Sequence, residues 1–564
     1  MTWRNRNLYL LGLPGAGKSA IGRELSLSLE QHSYSFVDLD AEIERSAGHS
    51  IAEIFASKGE AVFRKLETEA LLAISSDTSC RYVVATGGGI VMTPINRSII
   101  RGTGIPIWID VTVREAAKNV CADIVRGHDR PLFSGLTEEG IAVKIRELID
   151  ARRPYYEQAT LHFVSRSPRG DLRTPAELAV ELLTALDEMS FQVLLTPRFK
   201  TILAKSALGD YQIAVGSGCA QRELHHAIRD SSAKTIVTIT DANVGSIYGE
   251  EYQSKLSSVF PTGYTFHTIT LEAGEGSKAK EILFDLLSRI ATFGAGRKDI
   301  LVIALGGGVV TDIAGFAASI YNRGVKLIHI PTTLLAQADA SIGGKTGIDF
   351  EGKKNAIGSF YPPNQILVDP LFLKTLPKRE LHAGLAEVFK YALIGSKPMW
   401  DSLSTKLPRL IRGIDGAYEE IIHESILQKL RYVEADEFER EEGVRELLNF
   451  GHTFGHALES ATGFASLRHG EAVVLGMRAA SWLSKELGFL STEVWREIEL
   501  TLGRIPIGAS VECDANAVLE AFKHDKKRKG TNRVILLHSI GEAFVREISD
   551  EDAQRTINYM LSLT

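Results

Sequence analysis

The sequence predicts an α/β protein in two successive units. The first is a parallel sheet with helices on both faces; the second is an α/β subdomain followed by a mainly helical one. Three observations carry this prediction. Over residues 1–188, short apolar runs ending in glycine or aspartate alternate with stretches of helical spacing, as a parallel sheet covered by crossover helices requires. From residue 189 the same alternation restarts and continues to 360. Over 361–564 the strand signals fade and long helical patterns take over.

Taken in order, NLYLLGL reads as a buried strand and KSAIGRELSLSLE as the helix after it. YSFVDLD, YVVATGGG and IPIWIDV are further strands. TPAELAVELLTAL is a helix whose start is marked by Thr174 and Pro175. Between the units SRSPRGDLRT is polar, and a new strand run is expected at DEMSFQVLL. YQIAVGSG, TIVTITDANV, DILVIALGGG and VKLIHIPTT continue the α/β alternation, and LHAGLAEVFKYALI and AYEEIIHESILQKLRYVEA are helical.

Composition narrows the class. The chain has 564 residues, 44% hydrophobic and 24% charged, values of an ordinary globular protein without long disordered tracts. A net charge of −6 with no dominant basic block argues against nucleic acid as partner. The four cysteines are scattered without a CxxC pair, which fits reduced thiols in a cytoplasm. The start lacks a secretory core, and no apolar stretch reaches the ~18 residues of a membrane span. The expected partners are therefore small molecules.

Residues Gly12–Ser19, GLPGAGKS, satisfy GxxxxGK[ST] between a strand and a helix. In that context the loop of Gly12, Gly15, Ala16 and Gly17 can turn backbone N–H groups onto phosphate oxygens, assisted by the helix dipole. Lys18 then reaches the β- and γ-phosphates and Ser19 suits Mg²⁺. A phosphate cradle implies a nucleotide and leaves the acceptor open. DLD offers Asp38 and Asp40 on one side of a strand end, one for the Mg²⁺ shell and one for a hydroxyl, although either could cap a helix instead. Arg64 in FRKLE, Gly88 in TGGGI, Arg130 in RPLF and Arg152 in RRPYY complete the set.

Together these motifs resemble shikimate kinase over nearly all of residues 1–188. The resemblance implies that Lys18, Ser19 and Asp38 serve ATP–Mg²⁺. Asp40, Arg64, Gly88 and Arg152 would hold shikimate, the arginines forking onto its carboxylate. Asp40 would also sit at the attacking hydroxyl, and Arg130 would come from the compact lid RGHDRPLF. Such catalysis is mostly positioning and charge neutralisation. A gluconate-type kinase of the same fold is the alternative.

In the second unit LNFGHTFGHALE sets His452 and His456 on one helix face. LRHGEAVVLGM adds His469, and GLAEVFKYA adds Glu387 with Lys390 one turn later. Three histidines and a glutamate could make an open Zn²⁺ site. DILVIALGGGVVTDIAGFAASIY lacks GxGxxG, yet a triple glycine at a helix start suits a pyrophosphate. PTTLLAQADASIGGKTGIDFEGKKNAIG gathers Asp339, Lys345, Lys354 and Asn355, which suits an anionic ligand or, alternatively, a solvated loop.

These pieces, with TDANV, YNRG and HDKK, resemble 3-dehydroquinate synthase from about residue 190 to 540. The resemblance implies that Glu387, His452 and His469 bind Zn²⁺ or Co²⁺, and it assigns His456 to the substrate. It implies NAD against Gly306, Gly307 and Gly308, with Asp241, Asn243, Glu275, Lys278, Asp312, Thr332 and Thr333. Arg323, Asp339, Lys345, Lys354, Asn355, Lys390, Lys429, Arg445, Asn449, His456 and Lys526 would surround the substrate, with Lys345, Lys390, Arg445 and His456 catalytic. The acidic segment after Lys429 looks two residues longer than the family's DExExGxR. Choosing Lys429 over Arg431 keeps KxxxVxxD intact.

The resemblance implies a redox-assisted cyclisation of 3-deoxy-D-arabino-heptulosonate 7-phosphate to 3-dehydroquinate with release of phosphate, and a homo-oligomer, a dimer through the second unit. The expectation is one bifunctional shikimate-pathway enzyme. The alternatives are a polyol dehydrogenase or a different sugar-phosphate cyclase in the second unit.

Overall fold

The computed structural model describes residues 3–127, 130–165, 173–188, 199–260, 263–294, 296–414, 416–439, 444–463, 466–508, 513–526 and 532–564. SRSPRGDLRT and DEMSFQVLL lie largely outside them. The chain divides into two compact units, Met1–Thr201 and Ile202–Thr564, a division placed at 201/202 where the sequence suggests 188/189.

The first unit is built on five parallel strands, β1 (Asn7–Leu11), β2 (Tyr34–Asp38), β3 (Arg81–Ala85), β4 (Gly104–Asp110) and β5 (Leu161–Val164), in the order β2-β3-β1-β4-β5. Its helices are α1 (Lys18–Ser28), α2 (Leu39–Ala47), α3 (Ile51–Ser76), α4 (Pro94–Thr103), α5 (Val113–Val125), α6 (Glu138–Tyr156) and α7 (Pro175–Glu188). Side chains alternate across a strand, so β1 serves two layers. Leu8 and Leu10 share a core with Ile21 and Leu25 of α1 and Leu178 and Leu182 of α7. Tyr9 faces the other way, its hydroxyl 2.8 Å from Thr103 Oγ1 at the end of α4. The Thr174 hydroxyl and the Glu177 carboxylate cap α7 reciprocally, with Pro175 at its first position.

The second unit carries a seven-stranded sheet in the order β6-β7-β14-β11-β10-β8-β9. The strands are β6 (Lys200–Ala204), β7 (Tyr211–Val215), β8 (Thr235–Asp241), β9 (Thr265–Leu271), β10 (Ile300–Gly306), β11 (Lys326–Pro331) and β14 (Gln365–Val368). From β7 to β9 every neighbouring pair is parallel. The segment read as a possible solvated loop is instead an antiparallel hairpin, β12 (Lys345–Phe350) with β13 (Lys353–Phe360). Helices that matter below are α8 (Gly308–Ile320), α9 (Lys378–Gly395), α10 (Tyr418–Ala435), α11 (His452–Ala461) and α12 (His469–Glu486).

Strands do not fade at 360. β14 inserts between β7 and β11, and β15 (Arg533–Ser539) and β16 (Glu542–Glu547) form a late hairpin. β14 is four residues long and buried throughout, so it shows no alternation to read. Among the described residues no helix is long and apolar enough to cross a membrane.

Candidate active sites

The loop from β1 to α1 turns through left-handed backbone at Gly15 and Gly17, and α1 opens with no side-chain cap, which leaves its first N–H groups for an anion. Lys18 is buried, and its Nζ donates to the carbonyls of Gly12 and Leu13 at 2.9 Å each. Burial pulls its pKa down to about 8, against the pull of Asp40 and Asp38. Ser19 Oγ donates to Asp38 Oδ2 at 2.5 Å.

Asp38 also caps α2, accepting from the backbone N–H of Ala41. That cap ends the strand at Asp38. It moves Asp40 onto the first turn of α2, where the sequence reading had both carboxylates on one strand end. Asp40 Oδ1 is buried without a hydrogen-bond partner, and burial followed by Asp38 raises its pKa.

The glycine run after β3 draws the acceptor residues together. A Cβ at Gly87 would sit 2.8 Å from Asp40 Oδ1, at Gly88 2.8 Å from Pro14, and at Gly89 2.5 Å from Arg64 Nη2. Any side chain would push these groups apart. Arg64 is held by Glu60 at 3.0 Å and by buried Glu67 at 3.1 Å. Burial lifts the Glu67 carboxyl to about 7 even though Arg64 opposes it. Arg152 Nη1 and the Tyr156 hydroxyl both donate to the Gly88 carbonyl, at 2.8 and 2.5 Å. Arg130 pairs with Asp123 at 2.8 Å, and its charge bears on both Lys18 and Asp40. His128 and Asp129 of the lid segment lie outside the described residues. The sequence reading missed Glu67 and Tyr156, although both stand inside motifs it used, FRKLE and RRPYY.

In the second unit the chain leaves β8 toward β9 on one side and β10 toward β11 on the other, so β8 and β10 flank a topological switch point. Asp241 ends β8 and accepts from the N–H groups of Asn243 and Val244 at 2.9 and 3.0 Å. Gly306 ends β10, and α8 starts at Gly308 without a side-chain cap. The Thr332 N–H donates to the Gly306 carbonyl at 3.0 Å, while Thr332 Oγ1 is buried and unpartnered. Thr333 Oγ1 accepts from the N–H of Ala336 at 3.1 Å. Buried Lys278 donates to Asp312 at 2.8 Å and to Asn355, and lies 3.7 Å from Glu275. Burial raises Asp312 to about 6 against the pull of Lys278. An uncapped helix start, an orphaned hydroxyl and the switch point together fit a dinucleotide.

Glu387 on α9 is fully buried, and both its oxygens lack a hydrogen-bond partner. Its Oε1 lies 3.4 Å from His452 Nε2 and 3.9 Å from His469 Nε2, and Lys390 touches Oε2. Burial alone would raise this carboxyl; Lys390 and the imidazoles hold it well below its usual range. The outer nitrogens of the two rings are engaged, His452 Nδ1 by the Phe450 carbonyl at 3.3 Å and His469 Nδ1 by Glu459 at 3.2 Å. Such backing orients Nε2 toward a metal. Ring nitrogens of His452, His456 and His469 all lie within 4.8 Å of one another. His456 stands apart in that no described hydrogen bond fixes its ring, and it is exposed. A buried carboxylate paired with one lysine and facing two oriented imidazoles fits a divalent cation.

Close helix packing makes this cluster. A Cβ on Gly476 of α12 would fall 2.0 Å from the Gly451 carbonyl at the start of α11, and one on Gly470 would fall 1.9 Å from Ala383 of α9.

Around the cluster, Lys429 of α10 donates to the Asp339 carbonyl at 2.7 Å and to its carboxylate, which also accepts from Tyr391 at 2.5 Å. Arg431 lies exposed against Gln428. Glu439 of the longer acidic segment pairs with Lys345 and lies 3.5 Å from Arg445, and residues 440–443 lie outside the described residues. Lys354 pairs with Glu459 at 3.5 Å. Arg323 and Asn449 are exposed, and no described contact ties either to this group. The side chain of Lys526 lies outside the described residues. Tyr391, Glu439 and Glu459 are the residues that sequence reasoning passed over.

Three family models match the chain: shikimate kinase over residues 14–187, 3-dehydroquinate synthase N-terminal over 268–383, and 3-dehydroquinate synthase C-terminal over 384–528. A 3-dehydroquinate synthase of Thermodesulfovibrio yellowstonii is 38% identical over 352 residues, 62% of this chain and 96% of the relative. One of Caulobacter vibrioides is 39% identical over 353 residues, 61% of this chain and 94% of its own length. Among solved structures, a 2-epi-5-epi-valiolone synthase from Streptomyces hygroscopicus with NAD⁺ and Zn²⁺ bound aligns with a TM-score of 0.56 at 29% identity, covering 64% of this chain and 99% of that one.

Proposed function

The chain belongs to the 3-dehydroquinate synthase family and carries a shikimate-kinase domain ahead of it, and on that premise we propose that one polypeptide catalyses two steps of aromatic biosynthesis. The second unit has cyclase chemistry of the dehydroquinate-synthase type, dependent on NAD and a divalent metal, and the first unit is a shikimate-kinase-like ATP-binding domain. The substrates we assign are 3-deoxy-D-arabino-heptulosonate 7-phosphate for the cyclase and shikimate for the kinase. The observation that carries this reading is the fully buried Glu387 whose Oε1 faces His452 and His469, on a chain whose curated relatives at this identity are dehydroquinate synthases.

In the kinase, Ser19 and Asp38 would hold Mg²⁺, which would supply positive charge against the phosphates. Lys18 exchanges the Gly12 and Leu13 carbonyls for phosphate oxygens. Arg64 and Arg152 fork onto the shikimate carboxylate, and Gly88 lets the ring approach the backbone. Asp40 takes the proton of the attacking hydroxyl as its oxygen bonds to the γ-phosphorus and ADP leaves. Arg130 covers the transferred group, where opposite charge counts most.

In the cyclase, the dinucleotide supplies a hydride acceptor that gives the hydride back, and the metal supplies a Lewis-acid seat for the alcohol oxygen. Glu387, His452 and His469 would hold that metal, Zn²⁺ or Co²⁺. The dinucleotide would lie along Gly306–Gly308 with Asp241, Asn243, Glu275, Lys278, Asp312, Thr332 and Thr333. The chain's own work is to gather the substrate's anionic groups with Arg323, Lys345, Lys354, Asn355, Arg445, Asn449 and Lys526. Asp339, Lys390 and Lys429 orient its hydroxyls, and His456 contacts it beside the ligands. A cytoplasmic setting and a dimer through the second unit belong to the same reading, the former supported by four free cysteines.

A different sugar-phosphate cyclase is the second reading, favoured by the 29%-identical valiolone synthase. The test is one preparation given two substrate sets. Heptulosonate 7-phosphate with NAD⁺ should release phosphate and yield 3-dehydroquinate, and shikimate with ATP should yield ADP. Turnover of a different sugar phosphate, with none of the first substrate, would overturn the assignment.

A further inference from the structure

Glu459 is 3% exposed, yet both its oxygens are engaged by partners from different parts of the second unit. It follows His452 by two turns of α11 and so leaves the helix on the same face. Its Oε2 meets His469 Nδ1 at 3.2 Å, and its Oε1 faces Lys354 Nζ at 3.5 Å. Lys354 belongs to β13. The next residue, Asn355, accepts from Lys278, which also donates to Asp312 at 2.8 Å and lies 3.7 Å from Glu275. A continuous run of polar contacts and one peptide link therefore connects a metal-facing imidazole to the side chains at the switch point.

We infer that Glu459 is a positioning residue that links the two sites, fixing the His469 ring through Nδ1 while clamping Lys354, so that metal and dinucleotide bind with mutual reinforcement. The inference rests on the metal and dinucleotide sites proposed above. A cation on His469 Nε2 makes the Nδ1–H a stronger donor and tightens its bond to Glu459. A buried carboxylate that leans toward one cationic partner must still keep the other, because water cannot replace it. Metal binding therefore restrains Lys354 and, through the adjoining Asn355, Lys278. Linkage is reciprocal, so a dinucleotide that orders Lys278 tightens the metal by the same factor.

The experiment uses the full chain stripped of metal and dinucleotide. Zn²⁺ affinity is read by competition with a chromophoric chelator, ligand geometry by the visible spectrum of added Co²⁺, and NAD⁺ affinity by calorimetry with and without Zn²⁺. In the parent protein Zn²⁺ should tighten NAD⁺ at least about fivefold, the low end for coupled sites. Glu459→Gln should weaken Zn²⁺ about 10–100-fold and shift the Co²⁺ spectrum. Lys354→Met should keep the Zn²⁺ affinity and lose the Zn²⁺-dependent gain for NAD⁺. This second variant, on an exposed strand, carries the test alone if Glu459→Gln does not fold. Parental Zn²⁺ affinity and spectrum in Glu459→Gln would overturn the inference. So would a Lys354→Met protein that retains the gain, or a parent whose NAD⁺ affinity ignores Zn²⁺. A parent that binds neither Zn²⁺ nor NAD⁺ would overturn the site reading itself, and the linkage with it.

Discussion

Lys18 keeps its ammonium on two loop carbonyls, and burial brings its pKa to about 8, so the cradle holds a cation short of partners. Lys18→Ala should therefore lower shikimate phosphorylation at saturating ATP by at least about 100-fold, the scale for losing one group that stabilises developing charge. Cyclisation by the same preparation should be unchanged, and parallel assays of both reactions check this. Glu67 gives a second residue-scale prediction. Above pH 7 its carboxyl is ionised and holds Arg64 through both oxygens, at 3.2 and 3.1 Å. As pH falls through about 7 the carboxyl takes a proton and that hold weakens. Hence kcat/KM for shikimate should fall on the acid side with an apparent pKa near 7, while KM for ATP stays level. Glu67→Gln should flatten the profile; a parental bend that survives in this variant would assign it to another group.

At the scale of elements, the metal cluster depends on how closely α11 and α12 approach. Gly476→Ala would set a methyl 2.0 Å from the Gly451 carbonyl. We expect this overpacking to cost about 1–3 kcal/mol and to weaken metal retention, measured by denaturant unfolding and by metal content after dialysis. The histidines divide by their backing. His452 and His469 have Nδ1 engaged and Nε2 facing Glu387, whereas no described hydrogen bond fixes His456. His452→Ala and His469→Ala should each lose bound metal. His456→Ala should keep it and lose turnover. Elemental analysis of the three variants decides, and an empty site in His456→Ala alone would reverse the assignment.

For the whole molecule, the two proposed chemistries need different cations held by different residues. 1,10-Phenanthroline with excess Mg²⁺ should silence cyclisation and leave phosphorylation at its parental rate, because the chelator takes imidazole-bound transition metals and spares Mg²⁺. Zn²⁺ added back should restore cyclisation. Loss of both activities under chelation would show that the kinase also depends on the tightly held metal.

The sequence by itself determined what lies in contiguous backbone. GLPGAGKS needs only a strand before it and a helix after it, and α1 begins at Lys18 as that pattern requires. Thr174–Pro175 marked the start of α7, and the spacing of His452 and His456 put both rings on one helix. Other features were settled by the tertiary structure alone. Asp38 ends β2 and caps α2, which carries Asp40 onto a helical turn, because a capping bond outweighs one more residue of strand. β14 is too short and too apolar to show a period, yet it completes the sheet between β7 and β11. The order of β8 and β10 sets Asp241 beside Gly306, although more than a helix and a strand separate them in sequence. Glu387 and Glu459 reach His469 from two other stretches of chain. Side-chain periodicity records which face of an element is buried; which other element covers that face is decided by packing between distant segments, and that is where these carboxylates found their histidine.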